Sequence, residues 1–132
     1  CSSDLSRLTS ISGSSMYIKG SIVTYSNEAK MKFLDVDKEI LDTKGAVSPE
    51  VAKQMAEGVR KAVGSDIGVG ITGIAGPTGG TDKKPVGLVY IAVAGKDNTV
   101  VKENIFSGDR ARVRYRSTQQ ALEMIRQYIK NK

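Results

Sequence analysis

Apolar residues recur at helical spacing in the two longest segments of the chain. Ser48-Pro49-Glu50 combine an N-cap serine, a proline at the first helical position and an acid in the first turn, which predicts that a helix starts there. A second long helix is predicted from Gly108-Asp109 to about Lys130. Its predicted inward-facing residues are Val113, Ala121, Leu122, Ile125 and Ile129. Weaker helical patterns cover 5–10, 27–34 and 37–42.

Patterns typical of β-strands lie between these helices. They cover 17–25, 66–72, 85–94 and 98–106, the last as an edge strand. Strands separated by helices predict a three-layer α/β/α sandwich. The second and third strands are too close in sequence for a parallel crossover, so one neighbouring pair is predicted to be antiparallel or non-adjacent.

A glycine-rich stretch, GITGIAGPTGG at 70–80, follows the strand predicted at 66–72. Small side chains on that strand let another backbone or a ligand approach one of its faces. The glycines that follow permit positive φ and leave backbone N–H groups open to an anion. The stretch matches neither the P-loop nor the dinucleotide fingerprint. From the pattern alone an ordinary connecting loop is the favoured interpretation, and an anion cradle is the alternative.

Composition indicates one domain over residues 1–132, because a chain of 132 residues with 39% hydrophobic content can bury one ordinary core. No apolar run approaches the ~18 residues of a membrane span, and no segment resembles a signal peptide. We therefore expect a cytoplasmic protein with no membrane association. The single cysteine, Cys1, excludes an internal disulfide. The chain starts without an initiator Met in the tail of a helix, which predicts that an N-terminal segment is missing.

The net charge of +6 raises the question of a polyanionic partner. Most of the 20 Lys and Arg residues are scattered among acids, as on an ordinary solvated surface. The exception is the run RARVRYR at 110–116. Aromatic residues make up only 5% of the chain and no nucleic-acid motif is present, so we expect a small phosphate-bearing ligand and no nucleic-acid partner.

The absence of histidine restricts the possible chemistry. It excludes a Ser-His-Asp triad and removes the commonest ligand of catalytic zinc, and one cysteine cannot form a thiolate metal cluster. In a hydrolase of this composition, Lys, Tyr or a carboxylate must activate the nucleophile. Ser14-Ser15 in a glycine turn, Tyr25 at a predicted strand end and Lys30 on the next helix are candidates. Read alone, these residues are more typical of a solvated surface than of a catalytic site.

Several motifs, in the same order along the chain, resemble the CinA C-terminal domain family from about Leu5 to the end. The matching stretches are Gly13-Ser14-Ser15-x-Tyr17, Val23-Thr24-Tyr25-Ser26-Asn27-Glu28-Ala29-Lys30, Gly45-Ala46-Val47-Ser48, Gly73-Ile74-Ala75-Gly76-Pro77-x-Gly79-Gly80-Thr81, Lys84-Pro85-Val86-Gly87 and Gly108-Asp109-Arg110 with Arg114. The resemblance implies an α/β/α sandwich on a mixed, mostly parallel five-stranded sheet. A helix and a central strand of that fold would come from the missing upstream segment.

The resemblance also implies an activity, the deamidation of nicotinamide mononucleotide to nicotinate mononucleotide and ammonia. It implies no metal or organic cofactor, and a homodimer. By the same resemblance Ser15 is the nucleophile, with Ser14 as the neighbour for which it could be mistaken. Lys30 is the general base and Tyr25 relays a proton or donates to the oxyanion.

Substrate binding is assigned on the same basis to the glycine loop and to the start of the last helix. The predicted contacts are Ser14, Thr72, Gly73, Gly76, Gly79, Gly80, Thr81, Arg110 and Arg114. The two arginines are predicted to meet the phosphate, assisted by the helix dipole. A solvated helix face is the alternative for both.

One segment departs from the family pattern. Residues 1–9, CSSDLSRLT, lack the two glycines that usually follow the cysteine, which affects the fit of a substrate. A non-catalytic nucleotide-binding or interaction module is therefore the alternative function, and Cys1 as an N-terminal nucleophile is a further alternative.

Overall fold

The computed structural model describes residues 2–131, in which four helices precede three consecutive strands and a fifth helix follows, so the predicted alternation of strands and helices is wrong for this part of the chain. The helices are α1 (Ser2–Thr9), α2 (Asn27–Leu34), α3 (Lys38–Lys44), α4 (Pro49–Val63) and α5 (Arg110–Lys130), with a 3₁₀ turn at Ser14–Met16. The strands are β1 (Gly68–Gly73), β2 (Leu88–Ala94) and β3 (Thr99–Ile105). Within residues 2–131, no helix is long and apolar enough to cross a membrane.

The described strands form one sheet in the order β1-β2-β3, and both neighbouring pairs are antiparallel. Gly73 lies opposite Val89, so the glycine-rich stretch is the connection of a hairpin. The predicted antiparallel pair is therefore confirmed. The mixed, mostly parallel five-stranded sheet stays a prediction, because the three described strands contain no parallel pair.

The strand predicted at 17–25 is wrong for the described chain. Residues 18–25 form neither helix nor strand, although the half-buried Ile22 packs near the core. A strand needs a neighbour to receive its backbone hydrogen bonds, and no described strand lies beside this segment. The apolar pattern therefore indicated partial burial of Ile18 and Ile22, while Val23 is 56% exposed, and it did not indicate the presence of a partner strand.

Helices cover both faces of the sheet. Val89, Ile91 and Val93 of β2 pack against α5, while the alternate positions Ala92 and Ala94 pack against α4. This alternation follows from the two-residue period of a strand. The arrangement therefore has a helical layer on each side of the sheet, as predicted, with α5 on one face and α4 on the other. Helices α2 and α3 pack against α4.

Helix α4 approaches the sheet closely because small residues face each other across the contact. Ala52 and Ala56 lie over Gly68 and Gly70, and all four are buried. A Cβ atom at Gly70 would lie 2.7 Å from the Ala56 amide nitrogen and would overlap the Ala52 carbonyl oxygen. The small residues on this face of β1 therefore allow the α4 backbone to approach closely, which was one of the two predicted explanations for them.

The orientation of α5 differs in part from the predicted one. Val113 and Ala121 are buried as predicted, but Ile129 is 56% exposed. Met124 and Tyr128 face inward instead, and the Tyr128 hydroxyl donates to the Asn98 carbonyl at 3.0 Å. This polar contact with the β2–β3 turn helps fix the face that the helix buries.

Helix α1 rests on α5 through one arginine. The Arg7 guanidinium stacks 5.1 Å from the Tyr115 ring centre and donates from Nη2 to Gln119 Oε1 at 2.5 Å. The predicted helix tail at 5–10 is thus confirmed. Cys1 lies outside the described residues.

Substituting Gly70 should test the close contact between α4 and the sheet. We expect Gly70→Ala to lower the free energy of unfolding by about 1–3 kcal/mol, because the added methyl group forces the helix away from the sheet. Urea denaturation followed by circular dichroism would measure the change. Gly20→Ala is the matched control, since a Cβ atom there meets only the Val63 side chain, at 3.3 Å. An equal loss in both variants would contradict this account of the contact.

Candidate active site

The two candidate serines lie in a tight turn after α1. Gly13 has a φ of +86°, which an L side chain rarely adopts, and it starts the 3₁₀ turn. Ser14 is 8% exposed, and its carbonyl accepts from the Ile18 amide at 2.8 Å. Ser15 is exposed, and its hydroxyl makes no hydrogen bond within residues 2–131. Both serines thus belong to the turn, but Ser14 is buried in it and Ser15 is accessible to a ligand.

Lys30 is placed by the way α2 begins. Ser26 caps the helix, its Oγ accepting from the Ala29 amide at 3.1 Å. The Lys30 side chain folds back over this end, and Nζ donates to the Thr24 carbonyl at 3.0 Å. The contact joins Lys30 to the residue before Tyr25, so these two predicted site residues lie in one structural unit.

Burial changes the acid–base behaviour of Lys30. The residue is 7% exposed, and this desolvation lowers the pKa of its amine from the ordinary value of 10.5. A lowered pKa makes the neutral amine more available as a proton acceptor near neutral pH. The side chain of Tyr25 is 86% exposed.

The glycine-rich loop, residues 74–87, connects β1 to β2. Its base is closed by the Ile74 amide, which donates to the Leu88 carbonyl at 2.9 Å, and by the Gly87 amide, which donates to the Ile74 carbonyl at 2.7 Å. These two hydrogen bonds hold the two ends of the loop together.

The predicted site glycines do not all serve the same purpose. Gly76 and Gly79 have φ values of +82° and +93°, so the chain path requires them. A Cβ atom at Gly73 or Gly80 would lie 2.7 Å from a neighbouring atom of Val89 or Val86. Close packing by the protein itself therefore accounts for these two positions.

Part of the loop backbone is open to a ligand. The amides of Gly76, Gly79 and Gly80 donate to no group among the described residues, whereas the Thr81 amide donates to the Lys84 carbonyl at 2.8 Å. Gly76 is buried, so the exposed amides of Gly79 and Gly80 are the two of these that can hold an anion or a carbonyl oxygen.

Arg110 connects the loop to the first turn of α5. Asp109 caps that helix, accepting from the Arg112 amide at 2.9 Å. Arg110 Nη1 donates to the Gly76 carbonyl at 3.0 Å, so these two predicted site residues are in contact. Arg114 lies one turn later and is exposed, with no ion pair in the part of the chain that is described.

Thr72, at the end of β1, is 8% exposed and makes a structural hydrogen bond. Its hydroxyl donates to the Ala46 carbonyl at 2.7 Å, linking the strand to the α3–α4 connection. The hydroxyl proton is thus engaged, and only the oxygen lone pairs remain for a ligand.

The predicted residues form two groups. One contains Lys30 and the Thr24–Tyr25 backbone, which its hydrogen bond to the Thr24 carbonyl connects, and the other contains the glycine loop with Arg110. No hydrogen bond within residues 2–131 joins Ser15 to Lys30 or to Tyr25. Among those residues, no group of three or more His, Cys, Asp and Glu side chains is arranged to hold a metal ion.

Sequence reasoning missed two contacts at this site. The first is the Thr24 carbonyl, which binds Lys30 and which no side-chain pattern identifies. The second is Lys84, whose Nζ donates to the Lys44 carbonyl at 2.5 Å. Lys84 belongs to one of the matching motifs, and this was the available signal.

Comparisons with known proteins agree with the fold. The sequence profile of the CinA C-terminal domain matches residues 5–129. CinA-like proteins of Koribacter versatilis and Syntrophomonas wolfei are 55% and 52% identical over 123 and 124 residues, which are 93% and 94% of this chain and 30% of each relative. The chain therefore spans about 30% of the length of these curated relatives.

A solved structure has the same fold. The chain is similar to the competence/damage inducible protein CihA from Agrobacterium tumefaciens, with a TM-score of 0.90 and 40% identity. The match covers 92% of this chain and 75% of that one.

The acid–base behaviour of Lys30 can be measured directly. In the folded protein we expect its amine to lose its proton below pH 10.5, because burial penalises the charge. An NMR titration of labelled lysines would show this, with Lys30→Met identifying the signal and the urea-unfolded chain as reference. Titration at the unfolded value would contradict the effect.

The same shift predicts how stability changes with pH. Burying the charged Lys30 amine lowers the stability of the folded protein, and the unfolded chain holds the same proton more tightly. This loss of stability is fully present below the lowered pKa of the folded state, where Lys30 is protonated in both states. It is relieved as pH rises from there towards 10.5. Measured by denaturation, wild type should gain stability relative to Lys30→Met over this window. A constant difference would show that Lys30 does not titrate differently on folding.

Proposed function

Because residues 5–129 match its sequence profile, the chain belongs to the CinA C-terminal domain family, and we propose that it deamidates nicotinamide mononucleotide. The products are nicotinate mononucleotide and ammonia. The substrate class comes from the family resemblance, and the names of the matched relatives specify no reaction.

The buried Lys30 is the observation that carries this proposal. In a chain without histidine, a desolvated lysine is the group best suited to accept a proton near neutral pH. Lys30 meets this requirement, because it is 7% exposed and its pKa is lowered. Its hydrogen bond to the Thr24 carbonyl uses one N–H and leaves the lone pair of a neutral amine free.

In the first proposed step the Ser15 hydroxyl attacks the carboxamide carbon. A bond forms between Oγ and that carbon, and the hydroxyl proton passes to the neutral Lys30 amine, directly or through the Tyr25 hydroxyl. The carbonyl oxygen becomes an oxyanion, which Tyr25 or a loop amide stabilises by donating a hydrogen bond. The exposed hydroxyl of Ser15 supports this assignment over the buried Ser14.

The second step breaks the carbon–nitrogen bond. Lys30, now an ammonium, protonates the departing amine, and ammonia leaves. Water then attacks the Ser15 ester carbon and gives a proton to Lys30. The bond between that carbon and Ser15 Oγ breaks, Lys30 returns the proton to Oγ, and the product acid leaves as the carboxylate after losing its own proton to solvent. No metal or organic cofactor enters this sequence.

Binding of the nucleotide is assigned to the second group of residues. The open amides of Gly79 and Gly80 are suited to oxygen atoms of the substrate. Arg110 uses one guanidinium nitrogen for the Gly76 carbonyl and keeps further donors for the phosphate. Arg114, one turn along the helix, adds a second positive charge near the positive end of the α5 dipole.

A homodimer is part of the proposal. Met16, Val23 and Tyr25 are 83%, 56% and 86% exposed, which is unusual for large side chains so close in sequence. A second copy that covers them would remove this surface from water.

Ammonia release from nicotinamide mononucleotide tests the proposed activity. We expect Ser15→Ala and Lys30→Met each to lower kcat/KM by at least about a thousandfold, because the two residues act as one unit. In wild type, kcat/KM should fall as pH drops below the lowered Lys30 pKa. Any residual activity of Lys30→Met should lack this dependence.

Matched controls separate chemistry from folding. Ser12→Ala changes an exposed serine of the same segment, and Lys32→Met changes an exposed lysine of the same helix, so both should retain activity. Loss of activity in Ser14→Ala but not in Ser15→Ala would identify Ser14 as the nucleophile. A folded wild type that binds the nucleotide without releasing ammonia would refute the deamidase activity and support the alternative function, a non-catalytic binding module.

A further inference from the structure

Two side-chain hydrogen bonds connect the glycine-rich loop to neighbouring helices. Arg110 holds the Gly76 carbonyl on one side, as described above. On the other side, Lys84 Nζ donates to the carbonyl of Lys44, which is the last residue of α3. The loop tip therefore lies between a contact with α5 and a contact with α3.

The contact of Lys84 with α3 is chemically specific. The last carbonyls of a helix have no partner within the helix, and they lie at the negative end of its dipole. An ammonium group is a suitable partner for both reasons. A Cβ atom at the next residue, Gly45, would lie 2.9 Å from Lys84 Nζ, so the glycine leaves space for this contact.

The position of Lys84 also determines the path of the loop tip. The Lys84 amide donates to Thr81 Oγ1 at 3.0 Å, and the Thr81 amide donates to the Lys84 carbonyl at 2.8 Å. These two bonds join Lys84 to Thr81 as one turn. Gly79 and Gly80, with their open amides, come directly before this turn.

We propose that Lys84 is a positioning residue, which ties the glycine-rich loop to the end of α3 and so holds the Gly79 and Gly80 amides in place for the substrate. The proposal rests on the proposed function for the identity of that substrate. Lys84 acts through the loop and does not itself contact the nucleotide. Losing the tie should therefore weaken binding more than it slows the chemical step.

Hydrogen–deuterium exchange without substrate tests the tie. In Lys84→Met, we expect the two hydrogen-bonded amides of this turn, at positions 81 and 84, to exchange about tenfold faster than in wild type, with α4 unchanged. Lys84→Arg should restore part of the protection, because a guanidinium can donate to the same carbonyl. Lys83→Met is the matched control: it removes the same charge one residue earlier, at an exposed position without a described hydrogen bond.

Kinetics on the same variants test the role in binding. For Lys84→Met we expect KM to rise about three- to tenfold while kcat changes less than about twofold. Lys83→Met should match wild type in both parameters. A thermal midpoint close to that of wild type would separate this effect from general destabilisation.

The outcomes are distinguishable. Unchanged loop exchange in Lys84→Met overturns the tie, and if KM nevertheless rises, Lys84 contacts the substrate directly. Faster exchange with unchanged KM overturns the role in binding. A folded wild type without deamidase activity refutes the proposed function, while the exchange data still decide whether Lys84 holds the loop.

Discussion

The backbone of α4 runs against the sheet across glycine and alanine positions, and this close approach constrains the other elements. Ala52 and Ala56 occupy the space that side chains at Gly68 and Gly70 would fill. On another side of the same helix, Gly58 lies against the Leu34 carbonyl at the end of α2. With no room for larger groups at these contacts, the distances from α4 to the sheet and to α2 are fixed together.

This constraint reaches the candidate site through the elements that flank α4. Helix α2 carries Lys30, and the apolar cluster of Leu34, Val51 and Met55 holds α2 against α4. The same packing brings the α3–α4 connection beside the end of β1, where Ala46 accepts from Thr72. The burial of Lys30 and the anchoring of the glycine loop are therefore consequences of how α4 is packed.

The two groups of site residues use charge differently. Lys30 is deprived of water and of any carboxylate partner among the described residues, so its amine is destabilised in the charged form. Arg110 and Lys84 instead bind carbonyl oxygens and act as cationic links between the loop and neighbouring helices. A lysine that accepts protons must be desolvated, so that its neutral form is favoured. A lysine that holds a loop must instead stay charged and donate from its ammonium group to a carbonyl oxygen.

Most local features follow directly from the amino-acid sequence, because they depend on neighbouring residues. Ser26, Asp37, Ser48 and Asp109 cap the helices that follow them, as short-range rules require. The family motifs in the chain also predicted which residues form the candidate site. Their chemical roles remain the proposal, since a motif identifies residues and not the environment that activates them.

The contacts that these residues make depend on the tertiary structure and are not evident from the sequence. The segment at 17–25 has the pattern of a strand, but no described strand lies beside it. Ile129 was predicted to face the core and is exposed, because α5 buries Tyr128 instead. The burial of Lys30, its bond to Thr24 and the tie from Lys84 to Lys44 depend on atoms brought together by packing. Periodicity in a sequence specifies which face of an element is apolar, but the partner of that face is set by the fold as a whole.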